Sequence, residues 1–194
     1  MLQNIADTML GKHEYDLVIQ NVQIVNVYND TIRKGEIGIV EGKIGEISYN
    51  TNHLKGKKTI DGSNKYAIPG FIDSHMHLES SMLTPNHFAE IALSCGTTTV
   101  AADPHEIANV MGIKGVKSLV EACLDLPLNV YVFAPSTIPS LPGFESSGFD
   151  VTGKEMNEML NHKGVIGLGE VMDFNAVSHG EKRMIDIIQT ATNK

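Results

Sequence analysis

The chain has 194 residues, with 15 Lys+Arg against 23 Asp+Glu, so its formal charge is −8. Hydrophobic residues make up 42% and charged residues 20%, an ordinary globular balance that argues against disorder. The acidic balance, the absence of Trp and the 6% aromatic content leave little for a phosphate backbone or stacked bases, so no nucleic-acid partner is expected.

The N-terminal segment MLQNIADTMLGKHEYDLVIQ lacks the basic head and apolar run of a signal peptide. No stretch approaches the ~20 apolar residues that span a bilayer, so no membrane association is expected. Cys95 and Cys123 are too few for a disulfide framework or a four-thiolate zinc site. Both lie in apolar, helix-like stretches and read as buried free thiols, which fits a reducing, cytoplasmic compartment.

Up to residue 66 the pattern is that of short strands. Tyr15–Tyr28 is rich in Val and Ile with partial alternation. Ile37–Ile47 reads as a β-hairpin around Glu41-Gly42-Lys43, with Gly42 supplying a positive φ. Residues 50–58 are polar and loop-like, and Ile60-Asp61-Gly62 marks a further short strand and turn. These features predict a small, β-sandwich-like domain over residues 1–66.

From Ala67 the chain alternates strand and helix. Strands are predicted over Ala67–Asp73, Thr97–Ala102, Asn129–Ala134 and Val165–Glu170. The first helix opens at Thr84-Pro85 and stops at Gly96. The second covers Met111–Asp125. Thr152-Gly153-Lys154-Glu155 is a capping box that opens the third, and Glu181–Thr192 begins a fourth. Four such units imply parallel strands with right-handed crossovers, in either a doubly wound open sheet or half of a (β/α)8 barrel. A chain that stops just after its fourth helix, with no closing strand, is expected to be the N-terminal piece of a longer protein.

The segment richest in chemistry is PGFIDSHMHLESSML, Pro69–Leu83. In a strand, positions two apart share a face, so Asp73, His75 and His77 point the same way. Two imidazoles in that relation can bind one divalent metal, with Asp73 behind them as an orienting group. Bare His-x-His has little specificity, but the whole string at the end of a βα strand is far rarer. On the fourth strand Ile166, Leu168 and Glu170 share a face, which suits a barrel interior opening onto a site. A carboxylate there is expensive unless it meets a cation or a proton.

Asp103, His105 and Glu106 follow the second strand. They form either a network supporting the site, touching substrate or holding an accessory metal, or a helix N-cap cluster at Asp103-Pro104. Glu79 can face the same cleft. His179, in a predicted loop, is a weaker candidate. No G-x-S-x-G is present, so a serine hydrolase has no support.

PGFIDSHMH resembles the first barrel strand of the amidohydrolase superfamily. The continuation HLESSMLTP, with DPHEIANV and GLGEVM following in order, is similar within it to the adenine deaminases. The resemblance spans Tyr15 to about Ser178. It implies an α/β fold: the first four βα units of a (β/α)8 TIM-like barrel, residues 67–194, preceded by the small β-rich domain. His75, His77 and Glu170 are then metal ligands. Glu170 stands where many cyclic-amide hydrolases of the superfamily carry a carboxylated Lys, and it would bridge two metals. Two Mn2+ or Fe2+ are implied, with Zn2+ also suited to such ligands. The implied reaction is hydrolytic deamination of adenine, a small-molecule substrate, to hypoxanthine and ammonia by a dimetal-bound hydroxide. Further His ligands and a proton-shuttling Asp would lie beyond Lys194, so the chain alone is expected to be inactive. An open sheet edge leads us to expect a homo-oligomer. The alternatives are a dihydroorotase- or hydantoinase-like amidohydrolase and a non-catalytic truncated module.

Overall fold

In the computed structural model, which describes residues 2–194, the Val- and Ile-rich segment after Tyr15 forms the centre of an N-terminal sheet. Strand β1 (Leu17–Asn26) pairs antiparallel with β2 (Thr31–Val40), which pairs antiparallel with β3 (Lys43–Ser48). The other edge of β1 takes β4 (Thr59–Asp61) and β5 (Tyr66–Ala67) in parallel. The β2–β3 hairpin turns on Glu41 (φ 51°) and Gly42 (φ 72°), so both central residues are left-handed, as the twist of a tight hairpin requires. Tyr15, Val18, Val40 and Leu54 form one apolar cluster of this unit. Ile5, from the short helix α1 (Leu2–Met9), packs against it.

A buried charge organises the loop after β3. Glu36 is fully buried, and its carboxylate accepts the backbone N–H groups of Asn52, His53 (3.1 Å) and Leu54 (3.0 Å). Several converging donors are what let a carboxylate sit inside a small core.

Contacts divide the chain after Pro69, and Gly70–Lys194 forms a second unit. Its sheet is wholly parallel, in the order β6 (Phe71–Met76), β7 (Thr97–Ala102), β8 (Asn129–Ala134), β9 (Val165–Leu168). Helices return the chain between strands: α2 (Pro85–Ser94), the α3 (His105–Met111) and α4 (Ile113–Cys123) pair, and α5 (Gly153–Leu160). After β9 come α6 (Phe174–His179) and α7 (Lys182–Thr192). This is an α/β architecture, the N-terminal part of a TIM-like barrel, and it follows a β-rich unit.

The helices bury single faces. On α4 these residues are Gly115, Val116, Leu119, Val120 and Cys123, spaced at helical period. Val116 and Val120, with Met156, Met159 and Ile187, pack on Val132 and Ala134 of β8, while Leu119 and Cys123 pack on Leu78. The Thr152–Glu155 capping box forms as the sequence predicts.

Several expectations change. The expected second helix forms as α4, from Ile113 to Cys123, but a further helix, α3, precedes it; the two part at Gly112, whose φ of +60° and close approach to the Phe149 ring leave no room for a Cβ. Strand β6 begins at Phe71 rather than Ala67 and runs on to Met76, and β9 stops at Leu168. His179 ends helix α6 and does not lie in a loop. Cys123 is buried, and burial pushes its thiol up to about 11. Cys95, by contrast, is exposed, because it lies at the C-cap of α2 where the helix turns toward β7. Among the described residues, no helix is long and apolar enough to cross a membrane.

Candidate metal centre

The parallel sheet brings its strand ends together, and the sequence-predicted residues meet there. His75 lies within β6 and His77 one residue past its end. Their rings stand edge to face, with centroids 5.0 Å apart. Glu170 arrives from the turn after β9. Its Oε1 is 3.5 Å from His77 Nε2 and its Oε2 is 3.8 Å from His75 Nε2. The three donor atoms lie within 4.8 Å of one another. Ligands about 2.1 Å from one ion sit about 3.4 Å apart in tetrahedral geometry, so this spacing suits a shared cation.

His77 is oriented from behind. Its Nδ1 is 2.7 Å from the Asp103 carbonyl, which fixes Nδ1 as the protonated nitrogen and leaves Nε2 for a ligand. Burial works to lower its pKa. The Asp103 carbonyl and the carboxylates of Glu106, Glu170 and Asp103 outweigh that, and the net direction is upward.

Asp73 does not stand behind the imidazoles. Its Oδ1 accepts the backbone N–H of His75 at 3.2 Å, a local turn within the strand. Asp103 is fully buried, and its Oδ2 accepts the Glu170 N–H at 2.7 Å. The helix-capping alternative is not what forms: α3 is capped at Pro104 without any side-chain bond. Burial is the main reason the Asp103 carboxyl lies above its ordinary value, and its Oδ1 is buried with no hydrogen-bond partner.

His105 places Nδ1 3.2 Å from Glu170 Oε1 and Nε2 3.8 Å from Glu106 Oε2. Its ring lies 4.4 Å from that of His77. Burial acts to raise the Glu106 carboxyl, but the Ser80 hydroxyl at 2.5 Å, with His105 and His77, holds it below the usual carboxylate range. Donor atoms also group as His77, His105 and Glu106, and as Asp103, His105 and Glu170. Glu79 belongs to none of these groups. It sits in a 3-10 turn, Glu79–Ser81, and accepts the Ile107 N–H at 3.2 Å, so it serves the first turn of α3. His179 bonds within α6, to the Asn175 carbonyl.

Two residues that the sequence did not single out also serve this end of the sheet. Ser136 is fully buried and donates its hydroxyl to the Glu170 carbonyl at 2.6 Å. Arg183 of α7 donates to the carbonyls of Val151 (3.0 Å), Ile138 (2.9 Å), Pro139 (3.3 Å) and Ser136 (3.4 Å). It thereby holds the segment that carries Ser136.

The model of the amidohydrolase family matches residues 66–194. The chain belongs to the amidohydrolase family. This amidohydrolase chain is 43% identical over 183 residues to an adenine deaminase of Klebsiella pneumoniae (strain 342), covering 94% of the chain and 30% of that protein. It is 37% identical over 193 residues to adenine deaminase 2 of Carboxydothermus hydrogenoformans, covering 100% of the chain and 33% of that protein. The chain thus spans about a third of the length of the curated relatives it matches. Its fold is that of a solved adenine deaminase (TM-score 0.63, 21% identity, 92% of this chain and 48% of that one). It is also that of a D-aminoacylase mutant, D366A, in complex with CuCl2 (TM-score 0.66, 18% identity, 92% and 43%).

Proposed function

We propose that this chain supplies metal ligands to an enzyme that hydrolyses adenine at C6, giving hypoxanthine and ammonia. The convergence of His75, His77 and Glu170 on one point, from strands at opposite edges of the parallel sheet, carries the reading. The similarity to adenine deaminases over nearly the whole chain supports the substrate.

The residues present fit a divalent cation. The donors are imidazole nitrogen and carboxylate oxygen without thiolate, a set suited to manganese, iron or zinc. Three buried polar atoms, Asp103 Oδ1, His105 Nδ1 and Glu106 Oε2, have no hydrogen-bond partner at the same place. His75, His77 and Glu170 would hold the metal, which when bound lowers the pKa of water toward neutrality and so supplies a nucleophile.

Glu170 turns one oxygen to His75 and the other to His77 and His105, so its carboxylate would lie among all three imidazoles as a ligand. The negative charges of Glu170 and Glu106 would balance cations in a region where burial already limits hydration. His77 presents Nε2 because Asp103 holds the other ring nitrogen.

Ammonia release from adenine by the full-length protein supplied with Mn2+, run beside hydantoin and dihydroorotate, tests this. Turnover of adenine alone is expected. Turnover of a cyclic amide with none of adenine would overturn the reading in favour of the hydantoinase-like alternative.

A further inference from the structure

Glu170 lies two residues beyond the end of β9, one past the last main-chain bond to β8, from the Gly169 N–H to the Ala134 carbonyl at 2.8 Å. Its main chain is nevertheless gripped on both sides by side chains with no solvent exposure. Asp103, just past β7, takes its N–H at 2.7 Å, and Ser136, two residues past β8, gives a hydroxyl to its carbonyl at 2.6 Å. Asp103 reaches the histidine strand as well. Its own N–H donates to the Met76 carbonyl at 2.9 Å, and its carbonyl meets His77 Nδ1 at 2.7 Å. The contact also dictates a neighbour: a Cβ on Gly169 would fall 2.1 Å from Asp103 Oδ2, so only glycine lets the turn come this close.

We infer that Asp103 and Ser136 are positioning residues that set metal affinity by fixing the Glu170 peptide and, through Asp103, the His77 ring. The inference rests on the reading that His75, His77 and Glu170 hold the cation. A carboxylate on a free turn must be ordered by the metal itself, and that ordering is subtracted from binding. Here the turn is ordered beforehand by hydrogen bonds that also choose the His77 tautomer. Outer partners of this kind change metal affinity by about 10- to 100-fold when lost.

The test is Mn2+ titration of the metal-stripped, full-length protein, read as free Mn2+ by electron paramagnetic resonance, beside the melting temperature of the metal-free state. Asp103→Ala is expected to weaken binding by about 10- to 100-fold. Asp103→Asn keeps an oxygen for the Glu170 N–H and should recover most of that loss, which a merely structural role would not predict. Gly169→Ala should weaken binding as Asp103→Ala does. Ser136→Ala removes one hydroxyl and should weaken it several-fold while still folding, so it decides the matter if Asp103→Ala does not fold. Binding within about twofold of the parent in the folded variants, while Glu170→Ala loses it, overturns the positioning role alone. A Glu170→Ala variant that binds Mn2+ as well as the parent overturns the metal-site reading itself.

Discussion

His77 Nε2 and Glu170 Oε1 stand 3.5 Å apart although 93 positions of sequence number, 77 to 170, separate them. Proton and metal compete for that nitrogen. Because the His77 pKa is raised above 6.5, Mn2+ affinity is expected to fall as pH drops through a midpoint above the ordinary histidine value. The metal-free protein should show the opposite trend. A group whose folded pKa is raised stabilises below the unfolded value, and that contribution disappears as pH rises through the folded one. Mn2+ titrations and thermal melts of the metal-free protein across pH 5.5–8.5 (roughly the histidine range), repeated with His77→Gln, check both signs. A variant with the parent's pH profile would remove His77 from the account.

Glu79 gives a separate pH prediction. Burial is the main influence and pushes its carboxyl above the ordinary value, against the pull of backbone donors that include the Ile107 N–H. The folded state therefore holds the Glu79 proton more tightly than the unfolded state does. Its contribution to stability falls as pH rises from the ordinary carboxylate value through the raised one, and the cost is fully present only above the raised value. Glu79→Gln keeps an oxygen for Ile107 and removes the charge. Its melting temperature should exceed the parent's at pH 7 and converge with it near about pH 4. Equal melting temperatures at pH 7 would show that the burial cost is compensated.

Arg183 closes the chain onto the segment between β8 and α5. Its guanidinium satisfies the carbonyls of Val151, Ile138 and Pro139, and touches that of Ser136 at 3.4 Å. Arg183→Ala leaves these acceptors without their donor, and a loss of about 2–4 kcal/mol is expected in urea denaturation. Arg183→Lys should recover only part of it, since an ammonium lacks the planar fork that reaches several carbonyls at once. A cost under about 0.5 kcal/mol for Arg183→Ala would mean that the loop is held by other contacts.

Local chemistry made much of this fold legible. Thr97–Ala102 and Asn129–Ala134 are strands with the predicted bounds because β-branched and apolar runs were bracketed by Gly96 and by polar turns. Thr152 and Glu155 announced a helix start through residues three apart, and Glu41-Gly42 announced a hairpin. His75, His77 and Glu170 were readable because strand period and strand order bring them together. What escaped depends on partners distant in the chain. The break at Gly112 answers to Phe149, and the Ser136 hydroxyl finds its acceptor 34 residues away. The sequence neighbours of Asp103 admit two roles for it, since Asp-Pro before a helix looks like a cap. Only the approach of the Glu170 turn draws its carboxylate away. Asp73 misled for the same reason in reverse, because a short polar side chain found its own backbone first.

All four strands of the β6–β9 sheet run in one direction. This separates the risks that mutation carries. Changes in the turns that leave the strand tips alter what the protein can do while the packed layers of Val132, Val116 and Met156 stay intact, so new chemistries can be sampled at little cost to folding. Changes at the opposite tips bring the reverse exposure, putting foldability at stake while the reactive end is left as it was.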